Sequence, residues 1–277
     1  MNDPIPFFDF GGQGPQIHFA HANGYPPECY RRLLASLLDD YRVTAIYQRP
    51  LWPHSQPQEL SSWRQLGDDL LQLFDQQGLN DIIAIGHSLG AVATMYAALQ
   101  RPELFRALVL IEPVFLMPAL LQQIAARGTP LGADEFDLVR IANSRRSRWA
   151  SRQEAFDHFR PKRVFARLSD EALWDYVYYG LRKDETGEVA LTYSPEWEAM
   201  IYALPPTDVW ELLPQVTPPT LAIRGRETDT LVPVAWQLWR MSQPQAEFVE
   251  LEDVGHLLTM EAPERVAAVI QEFLNKI

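Results

Sequence analysis

Residues 81–99 constrain this chain more than any other stretch. Ile82-Ile83-Ala84-Ile85 is an apolar run that reads as a strand buried on both faces. The Ala-rich run 89–99 reads as a helix. Between them stands Gly86-His87-Ser88-Leu89-Gly90, a G-x-S-x-G. A strand that turns this sharply into a helix forces its central residue into a strained backbone, and small flanking residues leave room for it. The Ser88 hydroxyl is then pushed out of the sheet edge, with its neighbours' N–H groups aimed at whatever binds there. A bare G-x-S-x-G is common; one with a strand before it and a helix after it is not.

The pattern on either side is strand alternating with helix. Strands are expected at 6–10, 16–20, 43–47, 107–111, 220–225 and 246–251. Helices are expected at 28–38, at 63–77 with Ser61 as N-cap, at 233–239 and at the C-terminus. Such alternation implies an α/β fold, a mostly parallel sheet covered on both faces by helices, with ligand chemistry beyond the carboxyl ends of the strands. The alternation breaks at 114–215, which shows no convincing buried strand and reads as short helices at 119–126, 134–144, 152–159, 170–179 and 195–202. Residues 1–113 and 216–277 are therefore read as one core, with 114–215 inserted as a helical lid.

Composition excludes several classes. At 277 residues the chain suits one large core with an insertion. A net charge of −12 leaves no surplus of Lys and Arg for nucleic acid. The single cysteine, Cys29, rules out an internal disulfide or a cysteine metal cluster. No apolar run reaches the roughly 20 residues needed to span a bilayer, and the N-terminus carries Asp3 with no basic region, so no secretory signal and a cytoplasmic location are expected. No H-E-x-x-H or paired His/carboxylate spacing points to a metal.

A serine hydroxyl is a weak nucleophile that needs a base and a group to orient that base. His256, in a loop after the last strand, supplies the base, and Asp229, in the loop after 220–225, the acid. The order Ser, Asp, His is that of one known triad arrangement. Of the other five histidines, His87 is read as structural on the core side of the elbow, His21 as packing or hydrogen-bonding within its loop, His18 as a strand residue, and His54 and His158 as surface loop and lid residues.

In His21-Ala22-Asn23-Gly24, the elbow, Gly225 through Pro233, and Gly255-His256 followed by Glu261-Ala262-Pro263-Glu264, the sequence resembles the α/β-hydrolases over nearly its whole length. The resemblance implies an oxyanion hole from the backbone N–H groups of Asn23 and Leu89, and a reaction that needs no cofactor. A narrower likeness, in 145–155 and Tyr178-Tyr179-Gly180-Leu181-Arg182, is to the branch of fungal peroxisomal lipases and toxin-biosynthesis hydrolases, although the chain ends Asn275-Lys276-Ile277 without that branch's peroxisomal tripeptide. The spacing from Gly225 to the acid is one residue longer than the commonest in the family. Counting back from Val232-Pro233 selects Asp229; counting forward selects Thr228, which cannot serve; Glu227 is a weaker choice. Some members carry the acid after the strand preceding the lid, where Glu112 stands as the alternative.

The expected function is hydrolysis of a carboxylic ester of an acyl or lipid-like small molecule through an acyl-enzyme. Alternatives are carbon–carbon, amide or thioester hydrolysis with the same triad, or a non-catalytic ligand-binding protein. Phe115, Trp149, Trp174, Tyr178 and Tyr179 are candidates to line an apolar pocket. Arg145, Arg146, Arg148 and Arg152 read as an ion-paired face, or as a patch drawing an acidic substrate or a membrane surface.

Overall fold

A computed structural model describes residues 3–277. The first half runs β1 (Phe7–Gly11), β2 (Gln16–Ala20), α1 (Arg31–Ala35), β3 (Arg42–Ile46), α2 (Arg64–Gln77), β4 (Ile82–His87), α3 (Leu89–Gln100) and β5 (Phe105–Ile111). After β5 come α4 (Pro118–Arg127), α5 (Asp137–Ser144), β6 (Arg148–Trp149), α6 (Arg152–Phe159), α7 (Asp170–Tyr179), β7 (Leu181–Lys183), β8 (Val189–Leu191), α8 (Pro195–Ala203) and α9 (Val209–Leu212). The chain then returns through β9 (Thr220–Gly225), α10 (Pro233–Ser242), β10 (Glu247–Leu251), α11 (Leu258–Glu261) and α12 (Pro263–Leu274).

Seven strands form one sheet in the order β1-β3-β2-β4-β5-β9-β10. Only the β1–β3 pairing is antiparallel; the other neighbours are parallel. The apolar runs read from the sequence are the strands buried on both faces. Ile82, Ala84, Leu108, Leu110 and Ala222 point into one hydrophobic layer, which α2, α3 and α10 cover. Ile83, Ile85, Val109, Ile111, Leu221 and Ile223 point into the other, against α1, α11 and α12. Alternate side chains therefore serve opposite cores, and each large apolar residue so buried contributes about 1.5–3 kcal/mol.

Two expectations change at the local level. Trp63, not Ser61, stands at the N-terminus of α2, and no side chain caps it. Ser61 instead holds Gln65 Oε1, which accepts its N–H at 2.7 Å and its hydroxyl at 3.1 Å. Between β5 and β9 the chain is not purely helical: β6, β8 and β7 make a small antiparallel sheet. Strands of two and three residues are too short to show a period of two. Ser169 caps α7, its hydroxyl accepting the N–H of Ala172 at 3.2 Å.

Three histidines are fully sequestered. Burial lowers His18 to about 3 and His21 to about 4, and carries His87 well below its ordinary value. All three stay neutral in the native state while the unfolded chain protonates near 6.5. Their contribution is therefore whole above pH 6.5 and is lost as pH falls toward the native values. Asp69 and Glu261, raised by burial, act in the opposite sense. Between pH 7 and 5 the histidines dominate, and unfolding free energy is expected to fall with a slope approaching three protons, about 4 kcal/mol per pH unit. Urea melts at pH 7, 6 and 5 check this; a flat profile contradicts it.

Candidate active site

The carboxyl ends of β2, β4, β5, β9 and β10 release five loops on one edge of the sheet, and the candidate residues sit on them. Ser88 follows β4 with φ 55° and ψ −115°, a left-handed backbone that costs on the order of 1–3 kcal/mol for a non-glycine residue. Its N–H is held by the carbonyl of Ile111 at 2.9 Å. The flanking glycines are required by close approach. A Cβ on Gly90 would lie 2.0 Å from the carbonyl oxygen of Ala20, and one on Gly86 would lie 2.5 Å from Cα of Ala91.

His256 reaches this serine from the loop after β10. Its Nε2 lies 3.1 Å from Ser88 Oγ, and its Nδ1 lies 3.0 Å from Oε2 of Glu112. Glu112 follows β5 at φ 48° and is wholly buried. Its Oε1 accepts the N–H of Gly225 at 2.8 Å, and its Oε2 also accepts the hydroxyl of Thr228 at 2.6 Å. A carboxylate held by these two donors acts toward the imidazole as an acceptor. The ring proton is thereby assigned to Nδ1, leaving the Nε2 lone pair for the serine hydroxyl.

The acid expected at Asp229 is not there. Its side chain is 71% exposed and pairs with Arg163 at 3.2 Å. The loop after β9 is pinned by Glu227 N–H to the Val254 carbonyl at 2.9 Å and Thr228 N–H to the Gly225 carbonyl at 3.3 Å. This anchoring sets Thr228 against Glu112 and leaves Asp229 outside. Glu227 also faces outward, toward Arg167. The forward count from Gly225 was thus the informative one: it lands on the residue that holds the carboxylate rather than on the carboxylate. The residue after β5, the sequence's alternative, contacts the histidine.

Asn23 and Leu89 are both buried at this edge. Leu89 opens α3, so its N–H has no partner within the helix. His21 ties its own loop to the segment after β3, with Nδ1 on the Ala22 carbonyl at 2.8 Å and Nε2 accepting the Gln48 N–H at 3.1 Å.

The five pocket aromatics separate into core and surface. Phe115 is buried against Trp239 and Trp210, with ring centroids 4.9 and 5.8 Å away. Trp149 packs on Phe159 and His158. Trp174 stacks on Phe156 at 4.5 Å. Tyr178 and Tyr179 are exposed, under the guanidinium groups of Arg152 and Arg31 respectively. Aromatic rings bury wherever helices meet, which is where Phe115 and Trp149 lie. Three of the four clustered arginines are ion-paired, Arg146 with Glu154, Arg148 with Asp184, and Arg145 with Glu198, while Arg152 lies over Tyr178.

What the sequence reading did not foresee is that Arg145 and Asn23 meet in one polar cluster beside the loop after β2. Arg145 is bonded to Glu198 and, at 3.1 Å, to the Tyr176 hydroxyl. Asn23 Nδ2 donates to the Glu198 carbonyl at 3.2 Å, and the Glu198 carboxylate lies 3.7 Å from where a Gly24 Cβ would stand. Tyr25, Tyr176, Tyr193 and Tyr202 are neighbours, and burial pushes all four hydroxyls up, so they stay protonated.

A family model described as alpha/beta hydrolase family matches residues 19–269. The chain belongs to the alpha/beta hydrolase family. It is 23% identical over 232 residues to the abhydrolase domain-containing protein AKT2 of Alternaria alternata, covering 70% of this chain and 83% of that one. It is 23% identical over 274 residues to a proline iminopeptidase of Heyndrickxia coagulans, covering 98% and 94%. Among solved structures, the peroxisomal alpha-beta-hydrolase Lpx1 of Saccharomyces cerevisiae superposes with a TM-score of 0.77 at 18% identity, covering 96% of this chain and 77% of that one. The likeness to fungal hydrolases read from the sequence is thus present in both comparisons, the solved structure speaking for the fold alone. No helix among the described residues is long and apolar enough to cross a membrane.

Proposed function

We propose that this protein is a serine hydrolase that cleaves carboxylic esters through an acyl-enzyme. The observation that supports this reading is the continuous line from Ser88 Oγ through His256 to Glu112, with both gaps near 3 Å. In this mechanism Ser88 attacks the acyl carbon as His256 Nε2 takes its proton. The backbone N–H groups of Asn23 and Leu89 hold the negative oxygen of the tetrahedral intermediate. The intermediate collapses, His256 returns the proton to the leaving alkoxide, and the alcohol departs. Water then repeats the cycle: its oxygen bonds the acyl carbon as His256 takes its proton, the acyl–serine bond breaks as His256 returns that proton to Ser88 Oγ, and a carboxylic acid leaves. Glu112 holds the imidazole in the Nδ1–H tautomer and compensates its charge. Residues 114–215 serve as a lid in this reading.

The acyl group is proposed to be short and polar. Glu198 is bonded to Asn23, and through Glu198 the loop is backed by Arg145 and the Tyr176 hydroxyl. Those groups offer hydrogen bonds and little apolar surface to a fatty chain, which gains about 0.8 kcal/mol per buried methylene only in an apolar slot. A p-nitrophenyl ester series tests this, with amides and thioesters of the same acyl groups alongside. The acetate is expected to exceed the octanoate in kcat/KM by about tenfold or more. A preference for octanoate overturns the polar-acyl reading, and turnover confined to amides or thioesters overturns the ester assignment.

A further inference from the structure

Tyr30 and His87 have no exposed surface and take no part in the triad. The N–H of Ala22 lies 3.1 Å from Tyr30 Oη, which lies 2.9 Å from His87 Nδ1. His87 Nε2 in turn lies 2.9 Å from the backbone carbonyl oxygen of His256. The direction of each bond follows by elimination. A carbonyl only accepts, so the His87 proton is on Nε2. A neutral imidazole then has a bare Nδ1, so the Tyr30 hydroxyl donates into it. The Tyr30 oxygen keeps a lone pair for the Ala22 N–H. Burial, and next the adjacent His256 ring, hold His87 well below its ordinary value, which keeps this neutral tautomer in place.

The three ends of this chain are significant. Ala22 precedes Asn23, the proposed oxyanion donor; His87 precedes Ser88; and the far end is the backbone of His256 itself. These segments leave β2, β4 and β10, and β10 is separated from β4 by β5 and β9. The sheet ladder does not couple the His256 loop directly to the elbow. We infer that Tyr30 and His87 form a buried positioning chain that sets the oxyanion loop and the His256 backbone against the nucleophile. The inference rests on the roles given above to Ser88, His256 and Asn23. Displacements of about 1 Å from aligned geometry can cost on the order of 100-fold in rate, so a fixed spacer here affects turnover more than binding.

Tyr30→Phe removes only the hydroxyl and keeps the ring that packs on Phe19 at 4.5 Å. It is expected to lower kcat about tenfold or more with KM changed less than about twofold. Tyr96→Phe is the control, since that buried hydroxyl bonds Asp208 and is expected to leave kcat unchanged. Independently of activity, 15N spectra of His87 are expected to show the neutral Nε2–H tautomer at pH 7. Full kcat in Tyr30→Phe, an equal loss in Tyr96→Phe, or an Nδ1–H or charged His87 overturns the inference. A wild type that hydrolyses nothing and takes up no fluorophosphonate instead overturns the proposed function, so the two failures are distinguishable.

Discussion

Replacing Glu112 by glutamine is expected to lower kcat by about 10³- to 10⁴-fold, while Asp229→Asn leaves it within about twofold. Glutamine fits the space of glutamate but presents an amide on one side. Oε2 of Glu112 now accepts from both Thr228 and His256, and an NH₂ there would face two donors. The amide either keeps its oxygen on the Gly225 N–H, so that its NH₂ faces Thr228 and drives the imidazole into the Nε2–H tautomer, or flips and sets its NH₂ against the Gly225 N–H. The Nε2–H tautomer cannot accept the serine proton. Asp229 is mostly exposed and bonded to Arg163, so its amide alters one surface pair worth at most about 1 kcal/mol. Steady-state kinetics of both variants on one ester decide the matter. A large loss in Asp229→Asn with a small one in Glu112→Gln would reverse the assignment made here.

The second large effect is at the elbow. Ser88→Ala is expected to abolish fluorophosphonate labelling and to reduce kcat by about 10⁵-fold or more, because members of a triad act as a unit. Folding is expected to persist. Ser88 is bound to the frame through its N–H and the Ile111 carbonyl, which alanine retains. Alanine also suffers no more than serine from the left-handed backbone. Unchanged melting together with lost labelling separates loss of the nucleophile from loss of structure. Labelling that survives in Ser88→Ala would place the reactive group elsewhere.

Local pattern went a long way in this chain. Each of the seven strands of the main sheet lies where a strand was read, and the central β4, β5 and β9 are the clearest, because a strand buried on both faces must be apolar nearly throughout. Gly86 and Gly90 mark the elbow for the same kind of reason: any side chain would overlap a neighbouring backbone. By contrast, the two- and three-residue strands β6 to β8 carry no period to read. The burial of Phe115 against Trp239 and the exposure of Tyr178 depend on which helices meet, and helix packing is set by partners far away in sequence.

The sequence by itself determined the layered α/β frame, the serine at the strand-to-helix turn and the histidine beyond the last strand. Each is encoded within a short window, by spacing and side-chain size. Which carboxylate meets that histidine was decided only in three dimensions. Glu112 and His256 are 144 positions apart, and the choice against Asp229 turns on backbone hydrogen bonds that fix Thr228 and Glu227 and put Asp229 outside. The same holds for the chain from Ala22 through Tyr30 and His87 to His256. Its members lie on three segments that approach one another only because the strands preceding them share one sheet.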